Sequence, residues 1–130
     1  MSYILDTNVL IRLRDGDSVV AARVEALEGA VLMSIVSRVE LEGGVHREQA
    51  IAGIRRRKLD EILAAIPTLA FGDVDADAYA AIVAGAGYSR RKILDRMIGA
   101  QALVQGASLV TMNATDYADV ADLSIVDWSN

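Results

Sequence analysis

A chain of 130 residues with 53% hydrophobic side chains has enough material for one continuous core, and one domain spanning 1–130 is expected at that length. Cysteine is absent, which excludes disulfides, thiolate metal sites and a cysteine nucleophile and fits a reducing compartment. The net charge of -5 argues against a polyanionic partner on the total alone, and no apolar run approaches the roughly 18 residues of a membrane span, so a soluble cytoplasmic protein with no membrane association is expected.

In chain order, Ser2 to Leu5 reads as a short buried strand ended by Asp6, and Thr7 to Leu13 as a helix that turns at Asp15, Gly16 and Asp17. Asp17 caps a helix through Leu27, stopped by Gly29. Ala30 to Val36 is the second strand. A helix then runs from Ser37 toward Gly43 and Gly44, and another, apolar at Ile51, Ile54, Leu59, Ile62 and Ile66, ends at Pro67. Thr68 to Phe71 forms a short third strand, and a helix from about Val74 to Ala84 is broken by Gly85 and Gly87. The helical pattern of Ile93, Leu94, Met97, Ile98 and Leu103 carries Asp95 and leads into a strand at Ser108 to Thr111. A short helical turn follows Asn113, and Leu123 to Val126 is the last strand. Strands alternating with helices predict an α/β fold with a parallel sheet covered on both faces. On the Asp95 side of its helix, Gly99, Ala102 and Gly106 predict a close approach to the sheet.

This arrangement gathers four carboxylates. Asp6, Glu40 and Asp116 each follow a candidate strand, at the edge where open parallel sheets place their sites. Asp95 opens a crossover helix, which runs antiparallel to the strands and starts at that same edge. Each acid also has a bland explanation. Ser37 and Glu40 have capping-box spacing, Asn113 and Asp116 a related one, Asp95 suits the positive end of its helix, and Asp6 or Asn8 could cap the first helix. Capping does not require all four to share one edge, and a carboxylate after a buried strand is expensive unless paired or bound to metal. The oxygen and amide residues Thr7, Asn8, Ser37, Thr111 and Asn113 accompany the acids, as groups that orient metal ligands do. Such an oxygen-only set selects hard divalent cations.

Setting the four acids aside leaves a nearly neutral remainder with two basic runs, Arg55 to Lys58 and Arg90, Arg91, Lys92. The second directly precedes Asp95 and is the candidate nucleic-acid contact; the first reads equally well as a solvated helix face. His46, the only histidine, reads as a solvated residue beside Gly43 and Gly44, so a serine or cysteine triad is unsupported. Gly85-Ala86-Gly87 lacks the third glycine of a dinucleotide fingerprint. Tyr88, Tyr117 and Trp128 are aromatics that could stack a base, with a core or interface role expected for Trp128.

Four segments together resemble the PIN-domain ribonucleases, especially the VapC-type toxins of toxin-antitoxin pairs: Ile4 to Ile11, Ser37-x-x-Glu40-Leu41, Asp95 with Met97 to Ala100, and Thr111-x-Asn113-x-x-Asp116-Tyr117. The resemblance covers nearly the whole length in order. It implies a three-layer α/β/α sandwich with a central mostly parallel sheet of four to five strands, and Mg²⁺- or Mn²⁺-dependent endonucleolytic cleavage of RNA. It also implies homodimers inhibited by a small VapB-like antitoxin. The family's acidic set falls on Asp6, Glu40, Asp95 and Asp116, and its hydroxyl or amide helpers on Thr7, Asn8, Thr111 and Asn113. Met112 stands where an Arg is frequent, Tyr117 where Phe is usual, and Gly99 where Ala is common. Two other readings compete: a phosphatase with Asp6 as covalent nucleophile, for which Asn8 stands where a second Asp is preferred, and a non-catalytic RNA- or protein-binding scaffold.

Overall fold

The computed structural model describes residues 1–129. Five strands form a single parallel sheet in the order β3-β2-β1-β4-β5: β1 Ser2–Leu5, β2 Ala30–Ser34, β3 Thr68–Leu69, β4 Ser108–Thr111 and β5 Ile125–Asp127. Six helices flank it: α1 Thr7–Arg14, α2 Ser18–Glu25, α3 Ile35–Val45, α4 Ala52–Ala65, α5 Asp73–Ala86 and α6 Ile93–Gln105. The α/β/α expectation holds, with five strands. No helix among the described residues is long and apolar enough to cross a membrane.

Alternation along the strands divides the core. Tyr3, Leu5, Met33 and Val110 face one side, where they meet Val9, Leu10, Val20 and Leu59; Ile4 and Leu109 face the other, against Ile82, Ile98 and Ala102. Successive strand residues point to opposite faces, so both kinds must be apolar in a sheet covered on both sides. From β1 the chain adds β2 and β3 on one flank, then returns to place β4 and β5 on the other. The strand order therefore reverses between β1 and β4, and the crevice at their carboxyl ends is where such sheets bind ligands.

Several boundaries differ from the sequence expectation, for physical reasons. The second strand stops at Ser34, whose side chain accepts from Val36 N and caps α3. Ile35 and Val36 thus begin the helix, and Ser37 lies inside it and does not cap it. The Ser37-Glu40 spacing is a neighbourhood within one helix, with no capping box. Gly43 and Gly44 sit inside α3, and Gly85 inside α5; the break comes at Gly87, whose φ of +89° is one that glycine tolerates and other residues avoid. Gly44 has a packing reason: a Cβ there would stand 2.9 Å from Nη1 of the buried Arg14. Ile54, expected on an apolar stripe, is exposed. Gly99 faces Val120 and Leu123, in the connection between β4 and β5, rather than the sheet.

Candidate metal-binding acidic site

Asp6 follows the central strand directly and is 4% exposed. Its backbone N–H donates to Val110 O, stitching β1 to β4, while its carboxylate caps α1: Oδ1 accepts from Thr7 N at 2.8 Å. Oδ2 accepts from the Thr111 hydroxyl, also at 2.8 Å. Burial pushes its carboxyl above the ordinary value, the hydrogen bonds from Thr111 and Thr7 oppose that, and the charge of Asp116 adds to it. The cap explanation for Asp6 is thus correct as far as it goes, yet it uses one oxygen of a buried, charged group.

Every hydroxyl and amide picked out beside the acids joins this network. The single Thr7 hydroxyl hydrogen goes to Glu40 Oε1 at 2.7 Å, so Ser37 Oγ, 2.8 Å from Thr7 Oγ1, donates to Thr7. The relay Ser37 to Thr7 to Glu40 fixes an otherwise exposed glutamate from below. Asn8 bridges toward β4, donating from Nδ2 to Thr111 Oγ1 and accepting from Met112 N at 3.2 Å. Asn113 Nδ2 holds Asp116 Oδ2 at 2.8 Å, and Asn113 N donates to Thr111 Oγ1. Asp116 sits in a short 3₁₀ turn, Ala114–Tyr117.

Asp95 lies in the first turn of α6 and is half-buried. Its carboxyl is pushed up to about 6, first by burial and then by the charges of Asp6, Asp116 and Glu40, with Lys92 opposing. All four acids therefore share one electrostatic neighbourhood. Among the described residues, none of the four forms an ion pair.

That clustering tests whether a cation suits the site. Burial and the charges of the other three acids raise the Asp95 carboxyl, Lys92 offsets this only in part, and carboxylates crowded in this way suit an external cation. The Tyr117 hydroxyl is buried beside Asp6, and burial and the neighbouring carboxylate charges keep it protonated. No three Asp, Glu or His side chains among the described residues converge closely enough to enclose an ion unaided. Mg²⁺ needs only one or two direct carboxylates because it retains several waters, so the donor set fits a hydrated hard cation.

The basic runs differ from each other. Arg55 pairs with Glu48, Arg56 with Glu42 and Asp60, and Lys58 with Glu61, as on a solvated helix face. Arg90 and Arg91 are exposed and have no ion pair among the described residues, while Lys92 is held by Asp119 at 3.3 Å. His46 is an exposed residue ending α3. Trp128 is half-buried, packed against the core beside Arg23, and Tyr117 is buried and offers no face to a base.

Two groups near the acids went unnoticed in the sequence. Arg96, next to Asp95 and almost fully buried, binds Asp119 through Nε and Nη2 and donates from Nη1 to Gly87 O. It ties the start of α6 to the turn carrying Asp116. The only sequence signal was position: Arg96 is one residue after Asp95, and Asp119 is three after Asp116. A cleft of about 800 Å³ also opens beside Thr7 and Glu40, lined among others by Ile11, Arg14, His46 and Arg55; Asp95 and Asp116 lie outside it.

The PIN domain family model matches residues 3–123. No curated protein matches the chain in sequence. Among solved structures, a chain of VapBC-1 from nontypeable Haemophilus influenzae is similar over 100% of both chains, with a TM-score of 0.80 and 25% identity. VapBC2 from Rickettsia felis, bound to a DNA fragment from its promoter, gives 0.85 and 21% over 98% of this chain and 99% of that one. VapBC-5 from Mycobacterium tuberculosis, a member of the VapBC family of toxin-antitoxin systems, gives 0.71 and 25% over 97% and 98%.

Proposed function

Because the chain belongs to the PIN-domain family, we propose that it is a Mg²⁺- or Mn²⁺-dependent endoribonuclease and the toxin of a toxin-antitoxin pair. The observation that carries this reading is the gathering of four carboxylates, Asp6, Glu40, Asp95 and Asp116, at the switch point of the sheet, where burial and the charges of the other three raise the Asp95 carboxyl. Asp6, Asp95 and Asp116 would hold the ion, directly or through its waters, with Glu40 likewise a direct or water-bridged ligand. The bound cation supplies charge neutralisation at the phosphodiester and the acidity that makes water a nucleophile at neutral pH.

The chain's own groups then have defined tasks. Thr7 N and Thr111 Oγ1 fix both oxygens of Asp6, the Ser37–Thr7 relay orients Glu40, and Asn113 orients Asp116. Asp95 has no hydrogen bond to its carboxylate among the described residues, so its position is set by α6 and by the Arg96 clamp. No serine, cysteine or histidine nucleophile is required. The phosphatase alternative is disfavoured by Asp6 itself: both oxygens are engaged, and Asn8, whose amide is also engaged, offers no acid.

The partner readings follow from the same family. VapBC and FitAcB structures are similar in fold, which supports a small antitoxin for this chain. Ile11, which lines the Thr7–Glu40 cleft, and Val39 and Ile54 on α3 and α4 are exposed and offer that partner apolar side chains. A cation from it would pair with the acids and compete with metal. A homodimer is the proposed active unit, read by light scattering.

The deciding experiment is cleavage of total RNA with mapped ends, with Mg²⁺ or Mn²⁺ and with excess chelator. Cleavage that stops in chelator and returns with metal is expected. Undiminished cleavage in chelator by protein free of contaminating nuclease would assign the acids another purpose. Co-expression with the neighbouring small reading frame tests the toxin reading separately, through complex formation and relief of growth arrest.

A further inference from the structure

Residues 87–92 lead from α5 to Asp95, and they are pinned. Gly87 N closes α5 on Val83 O, Gly87 O accepts from Arg96 Nη1, and Lys92 is held by Asp119, which also binds Arg96. Arg90–Lys92 form a 3₁₀ turn. On this fixed segment stands Tyr88, 72% exposed. The other tyrosines are not displayed: Tyr3 and Tyr117 are buried and Tyr79 is half-buried. Leu94 is the only other large apolar side chain exposed between residues 84 and 97. The local surface is thus one exposed aromatic ring beside two exposed guanidinium groups that form no ion pair among the described residues.

We propose that Tyr88 is a stacking platform for a base of single-stranded RNA, with Arg90 and Arg91 on the adjoining phosphates, so that the pinned segment delivers the strand to the acids at Asp95. This rests on the endoribonuclease reading and adds to it a substrate form and a residue. An aromatic face accepts any base, because every base has a π-face, and the flanking cations follow the backbone. A duplex offers no free base face, so the platform selects single strands.

The test uses the full chain and a short RNA containing a mapped cleavage site, presented single-stranded and within a duplex. Tyr88→Ala should raise KM, and the Kd measured by anisotropy in chelator, by about tenfold for the single strand, within the range for loss of one stacked base. Its kcat should change little, and Tyr88→Phe should restore both constants. The salt slope of binding should persist in Tyr88→Ala and flatten when Arg90 and Arg91 are both replaced by Ala. Unchanged KM and Kd in folded Tyr88→Ala, with wild-type cleavage intact, overturns the platform and leaves the nuclease standing. A changed oligomeric state with unchanged RNA constants shows a contact between protein copies and also overturns it. A wild-type protein that neither binds nor cleaves RNA removes both readings together.

Discussion

The Thr111 hydroxyl reaches the Asp6 carboxylate at 2.8 Å across the junction of β1 and β4, joining residues 105 positions apart. Thr111 Oγ1 also accepts from Asn8 Nδ2 and Asn113 N, so one oxygen aligns groups from both sides of the topological switch.

Thr111→Val keeps the shape of the side chain and removes the donor to Asp6. Cleavage should fall about 10- to 100-fold, the usual effect of losing a group that orients a metal ligand. Calorimetric titration with Mn²⁺ should show weaker binding in parallel. Wild-type activity with wild-type metal affinity would mean that Asp6 is positioned by the Thr7 cap alone.

Asp6→Asn, Asp95→Asn and Asp116→Asn should each abolish metal-dependent cleavage while leaving circular dichroism unchanged. A folded, fully active Asp95→Asn protein contradicts the site.

The same acids set a pH dependence in metal-free protein. The Asp95 carboxyl is raised from an ordinary value of 3.8 to about 6, so between these values the folded state binds more protons than the unfolded state. Stability therefore falls as pH rises from about 4 to 6, and Asp95→Asn should lack that part of the fall. Below pH 4 the two proteins should differ little by this effect, and above pH 6 the variant should have the higher melting temperature. Saturating Mg²⁺ should shrink the difference. Parallel melting profiles across pH 4 to 7 would show that Asp95 does not feel its neighbours.

Replacing Arg90 and Arg91 by neutral residues should weaken RNA binding and reduce its salt slope, each lost phosphate contact removing about 0.7 for a single strand. Replacing Arg55, Arg56 and Lys58 should have less effect on the slope, because Glu48, Glu42, Asp60 and Glu61 already occupy those cations. Equal slopes for the two variants would erase this distinction.

Two glycines within helices should respond oppositely to alanine. A Cβ at Gly99 would stand 3.6 Å from the Val120 methyls, an ordinary contact, so Gly99→Ala should gain helix stability of up to about 1 kcal/mol. At Gly44 the new atom would displace the Arg14 guanidinium, bound to Asp15 through Nε and Nη2, and a loss of about 1 to 3 kcal/mol is expected. Denaturant midpoints measure both.

The parallel sheet and the common edge of Asp6, Asp95 and Asp116 were legible because apolar runs, caps and carboxylates alternate in a pattern that topology alone assembles. The start of α3 was not, since Ile35 and Val36 prolong an apolar run across a strand-to-helix switch that only the Ser34 cap marks. Buried Arg14 and Arg96 were invisible for another reason. A guanidinium enters a core only when tertiary partners such as Asp15, Asp119 and the Gly87 carbonyl surround it, and no local pattern announces them. Likewise, the different fates of the two basic runs depend on which acids folding brings alongside.

The outer strands β3 and β5 contain only two and three residues. So short a rim gives another chain almost no backbone ladder to extend, and β5 ends on the exposed charge of Asp127, which further discourages edge-to-edge growth. Assembly with copies or partners is thereby directed to helix faces and loops, and the sheet is protected from templating fibrous aggregates even where the protein is abundant.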